Sequence, residues 1–80
     1  MSAESAAALQ AGLALAHWTI TDLWVASVGM GGSFARTDVA LITTGSRDAT
    51  QPEHDILAAA VNDHLCEQGL DHPVDYWHDL

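Results

Sequence analysis

Apolar residues recur at helical spacing through the first quarter of the chain. Leu9, Leu13, Ala16, His17 and Ile20 fall on one side of a segment spanning 3–18, which predicts an amphipathic helix. Ser2 or Ser5 is available as its N-cap, and Gly12 weakens it by about 1 kcal/mol relative to alanine. The next stretch, 19–30, is two-sided. Its Trp18-Thr-Ile-Thr-Asp-Leu-Trp-Val run carries strand-forming residues, yet Leu23, Trp24 and Val25 are consecutive and large, so the alternation a half-buried strand needs is broken. Thr19 and Asp22 have a capping-box spacing, and Thr21 is a second candidate cap. These features predict a helix, ended by Gly29, Gly31 and Gly32.

Ser33 then stands as an N-cap for a third helix over Phe34–Thr44, with Phe34 or Ala35, Val39, Leu41 and Ile42 on its buried side and Gly45 as its stop. A short strand over Val39–Thr44 is the alternative. After a polar loop at Ser46–Gln51, the last helix has the fullest set of signals. Thr50 and Glu53 form a capping-box pair, Pro52 lies in the first turn, and Glu53 and Asp55 sit at the positive end of the helix dipole. Ile56, Leu57, Ala60, Val61, His64 and Leu65 make a stripe, with Asn62, Asp63 and Glu67 expected to face solvent. Gly69 is the expected left-handed C′ residue and Leu70 folds back on the last turn. Pro73 prevents a continuous helix over Asp71–Leu80, so the chain is expected to end in an extended tail carrying Val74, Tyr76, Trp77 and Leu80. The expected fold is all-α, a compact bundle of three to four short helices in one domain, 1–80, with this tail packed on it or on a partner.

Composition changes the picture in two ways. Hydrophobic residues make up 49% of the chain, enough for a core, but much of that is alanine, so each larger side chain matters. The single cysteine, Cys66, leaves no internal disulfide framework and points to a reducing, cytoplasmic setting. The segment Ala6–Ile20 is interrupted by Gln10, Gly12 and His17, too short to span a bilayer, and without a preceding basic region.

Charge limits the partners. Eleven carboxylates stand against Arg36 and Arg47, for a net charge of −9. Nucleic-acid affinity draws mostly on lysine and arginine, so nucleic acid and anionic membranes are disfavoured, and a basic protein partner is favoured.

Candidate chemistry is sparse. Gly29-Met-Gly-Gly-Ser33 matches neither a P-loop nor a dinucleotide fingerprint. No Gly-x-Ser-x-Gly elbow is present, Cys66 has only His64 two residues away as a sequence-near base, and Ser33 lacks the flanking residues of an acyl-carrier serine. No catalytic residue and no cofactor is expected. The tail groups His72, Asp75, His78 and Asp79, and the three-residue spacing of Asp75 and His78 aims both at one ion; metal binding there is the alternative function. A helix-turn-helix reading of the Gly-linked middle helices is a second alternative, opposed by net charge and by Arg36 being the only cation in the candidate reading helix. Trp18, Trp24, Tyr76 and Trp77 are the expected interface anchors, and a non-enzymatic interaction or adaptor module, self-associating as a homodimer or bound to another protein, is the leading expectation.

The run Asp22-Leu-Trp-Val-Ala-Ser-Val-Gly-Met-Gly-Gly-Ser33, followed by Asp55–Leu70 with its Ala-Val-Asn core and Gly-Leu end, resembles short actinobacterial helical proteins of unknown function. The resemblance covers roughly two-thirds of the chain without a diagnostic motif. It implies helices over 21–30 and 52–68, and no activity.

Overall fold

The computed structural model describes residues 2–80. It is all-helical: α1 (Ser2–Ala16), α2 (Ile20–Gly29), α3 (Arg36–Thr44) and α4 (Gln51–Glu67) precede an extended tail with one 3₁₀ turn at Trp77–Asp79. There is no strand among the described residues. α1 and α2 each pack against both α3 and α4, so α1 and α2 lie on one diagonal of the bundle and α3 and α4 on the other. Overall extents are 31 × 24 × 20 Å.

The ambiguous stretch after Trp18 is helical because its first turn is closed at both ends of a capping box. Thr19 Oγ1 accepts from the Asp22 amide at 3.2 Å, and Asp22 Oδ2 accepts from the Thr19 amide at 2.9 Å. Thr50 and Glu53 do the same for α4, at 3.3 and 2.9 Å. Each pair satisfies two donors that a helix start otherwise leaves bare. α3 departs from expectation. It begins at Arg36 with Ala35 as N-cap, not after Ser33, and only Asp38 answers, accepting from the Ala35 amide at 3.1 Å. Ser5, expected as a possible cap of α1, lies within the helix instead, its hydroxyl turned to His54.

All four helices end in one way. In each, an amide two or three residues past the helix end reaches back five residues: Trp18 to Leu13 (3.0 Å), Gly32 to Ser27 (2.9 Å), Ser46 to Leu41 (2.9 Å) and Leu70 to Leu65 (3.0 Å). This Schellman turn needs a left-handed residue just before that amide. Gly31, Gly45 and Gly69 supply it with φ of 87°, 80° and 91°, while α1 uses His17 at φ 56°, a conformation costing a non-glycine residue about 1–2 kcal/mol.

Leu9, Leu23, Val39, Ile42, Leu57, Val61 and Leu65 are fully or almost fully buried at the centre. Leu41, expected inside, is 38% exposed; Thr43 takes the inward position instead, its hydroxyl donating to the Val39 carbonyl at 2.9 Å. Asn62, expected to face solvent, is buried. The reason lies in the tail.

Candidate functional site

Two flanks of α4 carry the polar and small residues that the core does not use. On the first, the tail runs back as a strap and is held by side chains of α4. Asn62 Nδ2 donates to the Val74 carbonyl and Asn62 Oδ1 accepts from the Val74 amide, both at 2.9 Å. The Trp77 amide donates to Asp55 Oδ1 at 2.9 Å. His54, wholly buried, bonds through Nε2 to the Asp75 carbonyl at 2.8 Å and through Nδ1 to Ser5 Oγ at 2.7 Å. A carbonyl only accepts, so Nε2 carries the proton, and in the neutral ring Nδ1 accepts from the Ser5 hydroxyl. The pair has the atoms of a nucleophile and its base, but both are sealed from solvent, and the arrangement ties α1, α4 and the strap together. Val74 itself enters a notch where Gly12 lets the chains meet: a Cβ on Gly12 would collide with the Val74 side chain and lie 3.1 Å from Val61 Cγ1. Gly12 thus weakens α1 locally and admits the strap.

The second flank is open. Between α2 and α4 lies a cavity of about 310 Å³ whose floor is built of Ala26, Gly29 and Ala60. Trp18 and His64 wall one end, their rings stacked with centroids 4.6 Å apart. Across Met30 and Asp63, which border both, lies a second depression of about 290 Å³ reaching Cys66, His72 and Tyr76. The small side chains Ala26, Gly29 and Ala60 in its lining leave the space. Met30 is 43% exposed at its rim, and Val25 and Val28 on the outer side of α2 are 59% and 52% exposed.

Charge around this groove is one-sided. Asp63 and Glu67 line it, and no lysine or arginine does. The two arginines are engaged elsewhere. Arg36 Nε donates to Thr21 Oγ1 at 2.7 Å, joining α2 to α3. Arg47 forms a bidentate pair with Glu53, at 3.1 and 2.9 Å. The hydrogen bonds from Arg47 hold the Glu53 carboxyl down to about 2, well below the usual carboxylate range, aided by the Thr50 amide.

The expected site residues are placed as follows. Trp18, Trp24, Tyr76 and Trp77 are all half-buried. Trp24 turns inward, its indole N–H donating to the Phe34 carbonyl at 2.9 Å, and Trp77 sits edge-on to His54 with centroids 6.1 Å apart. Trp18 and Tyr76 line the groove. The exposed apolar residues are aliphatic instead: Leu15, Val25, Val28, Met30, Leu41 and Leu70. The four tail residues His72, Asp75, His78 and Asp79 do not converge, and among the described residues no three His, Cys, Asp or Glu side chains meet as an ion site. Between His72 and His78 the tail bends at Val74 and then enters the 3₁₀ turn at Trp77–Asp79. His72, at φ 48°, turns toward Cys66 instead: Sγ lies 3.6 Å from Nδ1 and 3.8 Å from Nε2, and Nδ1 donates to Asp71 Oδ1 at 2.9 Å. His64, two residues from Cys66 in the sequence, lies on another face of the helix; the turn at Gly69 brings His72 to Cys66 instead.

No protein-family model, curated protein or solved structure matches the chain. No helix among the described residues is long and apolar enough to cross a membrane.

Proposed function

We propose that this chain is a non-enzymatic protein-interaction module, a small adaptor that presents the α2 side of its bundle to another protein. The observation that carries the reading is the open groove between α2 and α4, with Met30 exposed at its rim and a second exposed apolar pair, Val25 and Val28, on the outer side of α2, while the opposite flank of α4 is closed by the chain's own tail. Exposed apolar groups around an open groove on a small domain mark sites of association, and methionine at the rim adapts to a partner's shape. The half-buried Trp18 and Tyr76 supply aromatic anchors at the two ends of the same groove. A reducing cytoplasmic setting suits a chain with one free thiol.

Affinity capture from extracts of the source cells tests the reading. The immobilised chain is expected to retain a stoichiometric protein that the Met30→Asp variant, folded by circular dichroism, does not. A set of captured proteins identical for both forms would remove the reading.

A further inference from the structure

The groove has a chemistry that narrows its occupant, and the inference below rests on the interaction reading above. We infer that the α2–α4 groove takes a basic amphipathic helix of the partner, with apolar side chains in the two depressions and lysines or arginines against Asp63 and Glu67.

Shape comes first. The two depressions, about 310 and 290 Å³, are divided by Met30 and Asp63. Adjacent depressions of this size fit two neighbouring apolar side chains from one face of a helix, spaced one turn apart. The floor of Ala26, Gly29 and Ala60 permits close backbone approach, and a Cβ at Gly29 would meet nothing within 4 Å. Gly29 therefore stands at an open, solvent-facing edge of the groove.

Charge comes second. Asp63 and Glu67 are exposed at the groove, Arg36 and Arg47 are bonded elsewhere, and the whole chain carries −9. Such a field draws in a cationic segment and repels an acidic one. A second copy of this chain brings the same negative charge and is the poorer fit.

The strap shows how the fold receives an added segment. Gly12 opens a notch on the other flank of α4, and an apolar side chain, Val74, enters it while polar side chains of α4 fix the backbone on either side. At Gly29 on the α2 flank no side chain of the chain stands within 4 Å of where a Cβ would lie, so that position is open to an incoming segment.

The test uses the full chain and a synthetic helical peptide of leucine and lysine, with leucines along one face and lysines flanking them. Titration followed by tryptophan fluorescence is expected to show saturable one-to-one binding, and a leucine–glutamate peptide of the same pattern is expected not to bind. The pair of substitutions Asp63→Asn and Glu67→Gln is expected to weaken binding about tenfold, since each lost exposed ion pair contributes up to about 1 kcal/mol. Asp48→Asn with Asp79→Asn, which changes net charge equally on exposed residues away from the groove, is expected to weaken it less than twofold. A cysteine in the peptide's apolar face, activated as an aryl disulfide, is expected to be attacked by the Cys66 thiolate. That forms the peptide–protein disulfide and releases the aryl thiolate; the unmodified lysine peptide in excess should suppress it. Equal weakening by the two carboxylate pairs means diffuse attraction and overturns the inference. So does a dimer of the chain alone that excludes the peptide. A cellular partner sensitive to Met30→Asp but lacking a basic amphipathic helix would overturn this inference and leave the interaction reading standing.

Discussion

The two flanks of α4 start from similar material and end differently. Both are floored by small residues, Gly12 on one side and Gly29 with Ala26 on the other. On the first, the tail closes the gap, and the buried polar groups of His54, Asn62 and Ser5 are all partnered. On the second, the tail only borders the far depression through His72 and Tyr76, the space between α2 and α4 stays unfilled, and Met30 at the rim stays in solvent. A glycine facing a neighbouring helix is therefore not one kind of feature. Its meaning depends on whether another part of the chain has taken the space.

Breaking the closed flank has the largest expected effect. Asn62→Ala leaves the Val74 amide and carbonyl without partners in a buried position, and should destabilise by roughly 2–3 kcal/mol in urea unfolding. Hydrogen exchange should show the loss concentrated in residues 73–77. Gly12→Ala comes next. Helix propensity gains about 1 kcal/mol, but the overpacking against Val74 and Val61 costs about 1–3 kcal/mol, for a net loss near 1 kcal/mol. Combined with Val74→Ala, the same substitution should become neutral or stabilising, and that reversal is the sharper test of the notch.

An acid titration addresses the loop that leads into α4. The Glu53 carboxyl titrates near 2 in the fold, below its unfolded value, so its contribution is fully present above about pH 4.5 and is lost as pH falls toward 2. Both partners are partly exposed, so the loss should be about 1 kcal/mol or less. Arg47→Met should flatten that part of the stability curve. The smallest effect belongs to the open flank. Gly29→Ala meets no atom within 4 Å and should stabilise by about 0.5 kcal/mol, opposite in sign to Gly12→Ala. Destabilisation at both glycines would show that the two flanks are alike, and the contrast would fail.

What the sequence shows of this fold is what short-range chemistry controls. Thr19 with Asp22, Thr50 with Glu53, and glycines 31, 45 and 69 mark helix ends by groups only a few residues apart, and all are found in those roles. The start of α3 is missed because alanine at its N-cap offers no acceptor, while Ser33 two residues earlier has the side chain a cap prefers. Asn62 is missed for a different reason. Its partners are backbone groups of Val74, which every residue possesses and no sequence pattern marks. The groove is hidden too, since Ala26, Ala59 and Ala60 read as good packing residues until the helices are placed. The aromatic anchors are only half legible: Trp18 and Tyr76 border the groove, whereas Trp24 and Trp77 are drawn inward by a carbonyl and by His54.

The strap has a consequence for the order of folding. Its contacts join Val74 to Gly12 near the other end of the chain, so closing them requires one of the longest loops the sequence can form. The helix ends, by contrast, are set by bonds six residues long or less. Local turns close at little entropic cost and distant contacts at more, so the Gly12–Val74 contact is expected to form late in folding. Interactions made that late govern the rate of escape from the native state more than the rate of reaching it. Weakening the Gly12–Val74 contact is therefore expected to shorten the lifetime of the folded molecule while leaving the refolding arm of a chevron almost unchanged, whereas the Asn62 bonds to Val74 close only twelve residues.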